Sequence, residues 1–260
     1  MLSNRMFFIW VKAYSKLSIM HVNIMDVKGV EVAPGVIERV LLHREQSTPG
    51  GLEVKHHILA EGEIVFDEQK VEYQHYIVSG CARMGGRFIH GETTLFVPGN
   101  SRFGEKHRHT ITHAGESELR VVTASYKLPR FNFRWAKTRS RNLYQAPMNI
   151  SNIVNQQLIT EEEHAVMGAL RMHALDVQTH PPLMVNPEHK NPEEIMYILR
   201  GEGRAVCDKD SYMVSPGSLV YSREGDVHGI YNTSDKLPLQ YFVLEFIEHD
   251  KMWTERGYRK

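Results

Sequence analysis

The chain has 260 residues, of which 42% are hydrophobic, and its 31 basic side chains balance 31 acidic ones. That length holds one large domain or two of ordinary size, and the charge balance disfavours nucleic acid or an anionic membrane as partner. Two cysteines, Cys81 and Cys207, make no disulfide framework and fit a reducing cytoplasm, and no run approaches the roughly 18 apolar residues of a membrane span.

From the N-terminus, Met6 to Val11 is apolar but short, with Lys12 and Lys16 close behind, which does not fit a secretory signal. Residues 1–34 read as an arm that packs on a neighbour, or as an over-long start with Met20 or Met25 as the true first residue. Beyond it, short runs rich in Val, Ile, Tyr and Phe are split by turn residues: Leu52 to Leu59, Tyr73 to Val78, Thr93 to Val97 and Leu119 to Tyr126. Residues 35–126 are expected to form a first β-barrel. The stretch 127–164 departs in composition, with Arg130, Arg134, Lys137, Arg139 and Arg141 among Phe131, Phe133, Trp135 and Tyr144. It reads as a linker whose aromatics pack on the barrels and whose charges stay solvated. Thr160 followed by Glu161, Glu162 and Glu163 looks like the N-cap and acidic first turn of a short helix. A second barrel is expected over 165–248, with strands at Leu170 to Val177, Ile195 to Leu199, Ser218 to Tyr221 and Leu239 to Ile247; residues 249–260 form a tail.

The two halves repeat one another. Tyr76 to Gly80 matches Tyr197 to Gly201 at an offset of 121, Pro98-Gly99 matches Pro216-Gly217 at 118, and His109 matches His228 at 119. Many short strands with regular punctuation and few helical patterns indicate barrels or jelly rolls.

In the second half, His189 is followed by Glu194 and Gly201, then by Gly217, Gly225, His228 and Asn232. Imidazole and carboxylate side chains entering a closed barrel from separate strands can converge on its axis, where they are costly to bury without a partner. A divalent ion would satisfy them; a Glu–His hydrogen bond in an unfilled barrel is the alternative. The spacing resembles the two sequence motifs of the cupin superfamily, with Arg223 in place of the second motif's usual proline. The resemblance implies an all-β fold of tandem cupin barrels (double-stranded β-helix, or jelly roll) with a linker between them. It also implies one divalent metal (Fe, Mn, Zn or Ni) on His189, Glu194 and His228. The first histidine of the family's His-x-His pair falls on Pro187, which cannot bind metal; His180 is an additional candidate donor. Met196 and Tyr221 are candidate pocket residues, and Arg200, Arg204 and Arg223 could meet a carboxylate.

At the corresponding positions the first half has Tyr73 for Glu194 and Glu68 for His189, and only His109 keeps a motif ligand. A rearranged second site on His75 and His109 is the candidate there; a degenerate barrel kept for packing is the alternative. Because cupins are chemically diverse, three functions stay open. They are a metal-dependent dioxygenase acting on a small polar substrate, a redox-neutral metal enzyme such as a ureidoglycine-type aminohydrolase or a sugar-acid isomerase, and a non-catalytic small-molecule binder. A homodimer is the expected assembly.

Overall fold

Side chains of a strand alternate between two faces, so a strand buried at every position must lie between two layers. Two strands have that character throughout, and two more over all but their last two residues, in the computed structural model, which describes residues 19–47, 51–99, 108–127, 138–145, 148–150, 153–159, 170–175, 193–207, 209–223 and 225–246. They are the central strands of two equivalent sheets.

In the N-terminal half the strands are β1 Ile19–Asn23, β2 Val30–Ala33, β3 Val36–Leu42, β4 Leu52–Leu59, β5 Glu63–Phe66 and β6 Val71–Ser79. They continue as β7 Cys81–Met84, β8 Arg87–His90, β9 Thr93–Val97, β10 His109–His113 and β11 Leu119–Lys127. In the C-terminal half β12 Arg139–Asn142, β13 Met148–Ile150, β14 Ile153–Ile159, β15 Leu170–Leu175 and β16 Glu193–Arg200 come first. β17 Gly203–Cys207, β18 Asp210–Val214, β19 Ser218–Ser222, β20 His228–Asn232 and β21 Leu239–Phe246 complete the set. The fold is all-β, as the sequence implies. Among the described residues no helix is long and apolar enough to cross a membrane.

Each half folds as a large sheet facing a small one. The large sheets are seven-stranded, ordered β12-β9-β6-β11-β4-β3-β2 and β1-β19-β16-β21-β15-β14-β13. The small sheets are β5-β10-β7-β8 and β18-β17-β20. Three apolar clusters follow. One fills the N-terminal barrel, with Phe66, Tyr73, Ile77, Leu95 and Ile111. Another fills the C-terminal barrel, with Met196, Ile198, Cys207, Val220, Ile230 and Tyr241. The third lies between the large sheets and joins Tyr76, Phe96 and Val122 to Tyr197, Tyr221 and Phe242. Strands β6, β9, β16 and β19 are buried on both faces because one face lines a barrel and the other meets the opposite barrel.

The stretches read from sequence as an arm and a linker carry strands of their own. β1 pairs antiparallel with β19 of the C-terminal barrel, and β12 pairs with β9 of the N-terminal barrel. The opening strand of each half therefore extends the other half's sheet by one strand, pairing the backbone groups of β19 and β9 that would otherwise lie at an edge. Tyr144 is 81% exposed, so this aromatic of the linker does not pack on a barrel. Phe131, Phe133, Trp135 and the expected helix at Thr160 lie outside the described residues.

The strands also correct one landmark of the repeat. Pro98-Gly99 follows β9, whereas Pro216-Gly217 precedes the equivalent strand β19. The true counterpart of Gly217 is Glu92: their amides donate to the carbonyls of Ile198 and Ile77. Both residues hold positive φ, +87° at Gly217 and +60° at Glu92, although such a φ is uncommon for a residue other than glycine. The Gly80–Gly201 match does hold in space. A Cβ on Gly201 would lie 2.3 Å from the Pro238 carbonyl oxygen, and one on Gly80 would lie 2.6 Å from that of Glu118. A crossing strand thus explains the glycine in each copy.

His56, on the β4 face toward the other barrel, makes stability depend on acidity. It is 1% exposed, and its Nδ1 has no hydrogen-bond partner among the described residues. Burial above all, then the charges of His57, Arg39 and Arg120, lower its pKa to about 3. Because the folded ring resists protonation, the unfolded chain binds more protons below the ordinary histidine value. Stability is therefore intact above about pH 6.5 and falls as pH drops through it. From pH 7 to pH 5 the loss through His56 is about 2 kcal/mol. Urea midpoints at the two pH values are expected to show that loss, and His56→Leu to remove this share of it.

Candidate functional site

Within the C-terminal barrel, inward parity on β16 selects Glu194, Met196 and Ile198. β20 begins at His228, whose cross-strand partner on β17 is Cys207. Glu194 and His228 meet there, with Oε2 and Nε2 3.4 Å apart and both residues 7% exposed.

The protonation of His228 is set by the chain just before it. Its Nδ1 lies 3.0 Å from the Asp226 carbonyl oxygen. A carbonyl can only accept, so Nδ1 carries the proton and the neutral ring turns the lone pair of Nε2 toward the Glu194 carboxylate. The preceding turn is closed by the Arg223 amide, which donates to the Asp226 carboxylate at 3.0 Å. Two acceptors facing one another in a buried space need a cation between them. A proton can serve: burial pulls the His228 pKa down, but Glu194 and the Asp226 carbonyl outweigh it, and the ring ends above its ordinary value.

A divalent metal also fits this pair. Two donors each about 2.1 Å from one ion sit about 3.4 Å apart at a tetrahedral angle. The Nδ1-to-carbonyl bond is the outer support that metal-binding histidines commonly use to fix their tautomer. Among the described residues no three His, Cys, Asp or Glu side chains gather as a metal-binding group, so the described part of the site is the Glu194–His228 pair. His189, His180 and Pro187 lie outside the described residues.

Met196 lines the barrel interior, as its parity with Glu194 requires. Tyr221 does not: it packs in the cluster between the barrels, while its neighbour Val220 points inward. Its assignment to the pocket is therefore corrected, because parity along β19 puts Ser218, Val220 and Ser222 inside. Ser222 pairs with Glu194 across the sheet. Tyr241, overlooked in the sequence, is buried in this barrel; burial first and the Glu194 charge second hold its phenol neutral by raising its pKa. Its two-residue step from Val243 along an apolar strand was the available signal. Of the three arginines, Arg200 pairs with Glu92 of the other barrel. The Arg204 guanidinium lies 5.2 Å from the centre of the Tyr231 ring. Arg223 sits in the turn leading to His228, and its Nε is buried without a hydrogen-bond partner among the described residues.

The N-terminal barrel brings His75 and His109 together, with their Nε2 atoms 2.8 Å apart. At that separation one ring donates to the other. His75 Nδ1 lies 2.9 Å from the Thr123 hydroxyl. Phe66 stacks on His109 with ring centres 4.9 Å apart, and Tyr73 stacks on His75 at 5.6 Å. Burial above all, then the charges of His109 and His57, hold the His75 pKa well below its ordinary value, so the ring is neutral. Glu68, matched to His189 by spacing, points outward and pairs with Arg44 at 3.2 Å. His113 turns to the Ser117 carbonyl at 2.8 Å, and His107 is outside the described residues. Here aromatic rings occupy the space that a carboxylate ligand would need.

Comparison with known proteins agrees with this architecture. The family model described as Cupin domain matches residues 177–245. No curated protein matches the chain in sequence. Among solved structures, a putative glyoxylate-induced protein from Pseudomonas aeruginosa is similar with a TM-score of 0.70 at 11% identity, over 88% of each chain. Protein Ylba from E. coli gives 0.66 at 14% identity, over 88% of this chain and 91% of that one. An oxalate decarboxylase variant from B. subtilis gives 0.65 at 14% identity, over 90% of this chain and 78% of that one. Residues 177–245, which hold Glu194 and His228, thus match a cupin domain, and the chain as a whole shares the two-barrel fold of these structures.

Proposed function

We propose that this chain is a metal-dependent enzyme whose C-terminal barrel acts on a small polar substrate by dioxygenase-type chemistry. Glu194 and His228 hold the metal, with His189 as third ligand. The observation that carries this reading is the approach of His228 Nε2 to the Glu194 carboxylate at 3.4 Å in a buried barrel, with Nδ1 engaged by the Asp226 carbonyl. Two imidazoles and one carboxylate suit Fe(II) and other divalent ions and leave coordination positions open. The bound metal supplies Lewis acidity and a place for substrate and dioxygen.

The chain's own residues do the rest. The Asp226 carbonyl keeps His228 in one tautomer, Tyr241 stays neutral beside Glu194, and Met196 with Val220 gives the pocket an apolar wall that excludes water. Oxalate decarboxylase and the glyoxylate-induced protein share this fold, and two-carbon acids are the first substrates to screen. Metal analysis of the chain purified without chelator, followed by oxygen-electrode assays, tests the proposal. Near one iron per chain with substrate-dependent oxygen uptake is the expected result. Turnover that proceeds equally without oxygen would overturn the dioxygenase reading and leave a redox-neutral metal enzyme. Metal well below one per chain would overturn metal dependence itself.

A further inference from the structure

Two nitrogen atoms on neighbouring strands of the N-terminal sheet are buried without a hydrogen-bond partner among the described residues: Nδ1 of His56 and Nη1 of Arg39. Arg39 on β3 stands directly opposite His56 on β4, and residues so placed in an antiparallel pair share a face. That face meets the other barrel, and His56 is 1% exposed on it. Buried polar groups left unmet are costly and correspondingly rare, so a pair of them side by side calls for an occupant.

The surroundings of the pair are cationic. Arg39 is fixed by its Nε, which donates at 3.2 Å to the Val27 carbonyl in the loop between β1 and β2. Arg120 joins the same face, because it lies two residues from Val122, the partner of His56 on β11. Its side chain is 46% exposed and pairs with Glu118, so it stands on the open side of the group. On the phenol of Tyr197, from the C-terminal barrel, burial acts first and the Arg120 charge second, which places this ring at the border. After burial, the groups that act on His56 are His57, Arg39 and Arg120, and none of them is an acid.

We propose that one small monovalent anion, a halide or a short carboxylate such as formate, binds between Arg39 and His56 in the seam of the two barrels. Arg39 donates to it from Nη1 and His56 from Nδ1, and the Arg120 charge favours entry from the exposed side. Hydrogen bonds with an ionised partner are the strong ones; a water would meet both donors but leave the charge unanswered. The site is separate from the proposed metal centre, whose ligands Glu194 and His228 lie inside the C-terminal barrel. Chloride-35 magnetic resonance of the purified chain reads occupancy, because exchange with a protein site broadens the chloride line. Wild type is expected to broaden it in a saturable way, and competition by formate tells a site that accepts carboxylates from one for halide alone. Arg39→Gln and His56→Leu should each weaken binding at least about tenfold, the loss of one hydrogen bond to a charged group. Arg120→Gln should weaken it about threefold. Arg204→Gln, whose guanidinium lies beside Tyr231, should leave it unchanged. His228→Ala should leave it unchanged too, which keeps this result independent of the metal reading. Broadening that does not saturate, that survives both Arg39→Gln and His56→Leu, or that is lost with His228→Ala would overturn the proposal.

Discussion

His228→Ala is expected to lower metal affinity by at least about a hundredfold, leaving the purified chain with a small fraction of the wild-type metal. Loss of a hydrogen-bonding support behind a ligand already costs about 10–100-fold, and loss of the donor itself costs no less. Glu194→Gln keeps the shape of the side chain but removes its charge, so it separates metal binding from packing. It should release metal while leaving the urea midpoint close to that of the wild type. His109→Ala, in the N-terminal barrel, should leave metal content unchanged, because His109 stacks on Phe66 and meets an imidazole, His75, with no carboxylate ligand beside them among the described residues. Metal analysis and urea titration of the three variants read all of this. Full metal content in both C-terminal variants would place the ion elsewhere.

Phe242→Ala is expected to cost about 3–5 kcal/mol of stability, the range for truncating a buried aromatic. Phe242 is 4% exposed and lies in the cluster between the large sheets. Its ring centre is 5.2 Å from those of both Tyr76 and Tyr197. Because Tyr76 belongs to the N-terminal barrel, the truncation weakens the joint between barrels as well as one barrel. Phe88→Ala, at an exposed position, should change stability by less than about 0.5 kcal/mol. Chemical denaturation of both variants makes the comparison. A loss below about 1 kcal/mol for Phe242→Ala would mean that the shared cluster contributes little.

The parts of the fold visible in the sequence are those with a local cause. Leu52–Leu59 and Thr93–Val97 are apolar runs bounded by turn residues, and they are strands over those same spans. Strands of the small sheets, such as β7 and β8, are four residues long with arginine or histidine on their open face, and gave no comparable pattern. β1 becomes a strand by pairing with residues nearly two hundred positions away, a contact no local window contains. Tyr221 shows a different limit: with both faces of β19 buried, apolar character does not tell inside from outside, and only strand register does. Glu194 and His228 were legible because their spacing from Gly201, Gly225 and Asn232 resembles the cupin motifs, whereas an isolated histidine or glutamate would have had a bland reading. The His75–His109 pair was legible because His109 keeps a motif position and His75 lies on the strand matching that of Glu194, whereas the aromatic enclosure around the pair was not.

The proposed ion sits between Glu194 and His228, which come from opposite sheets of the C-terminal barrel. Anomalous diffraction from the metal-loaded chain at the absorption edge of its ion tests this most directly. A peak within about 2.0–2.2 Å of both Glu194 Oε2 and His228 Nε2 is expected. A peak between His75 and His109 instead, with the C-terminal pair joined only by a proton, would contradict it.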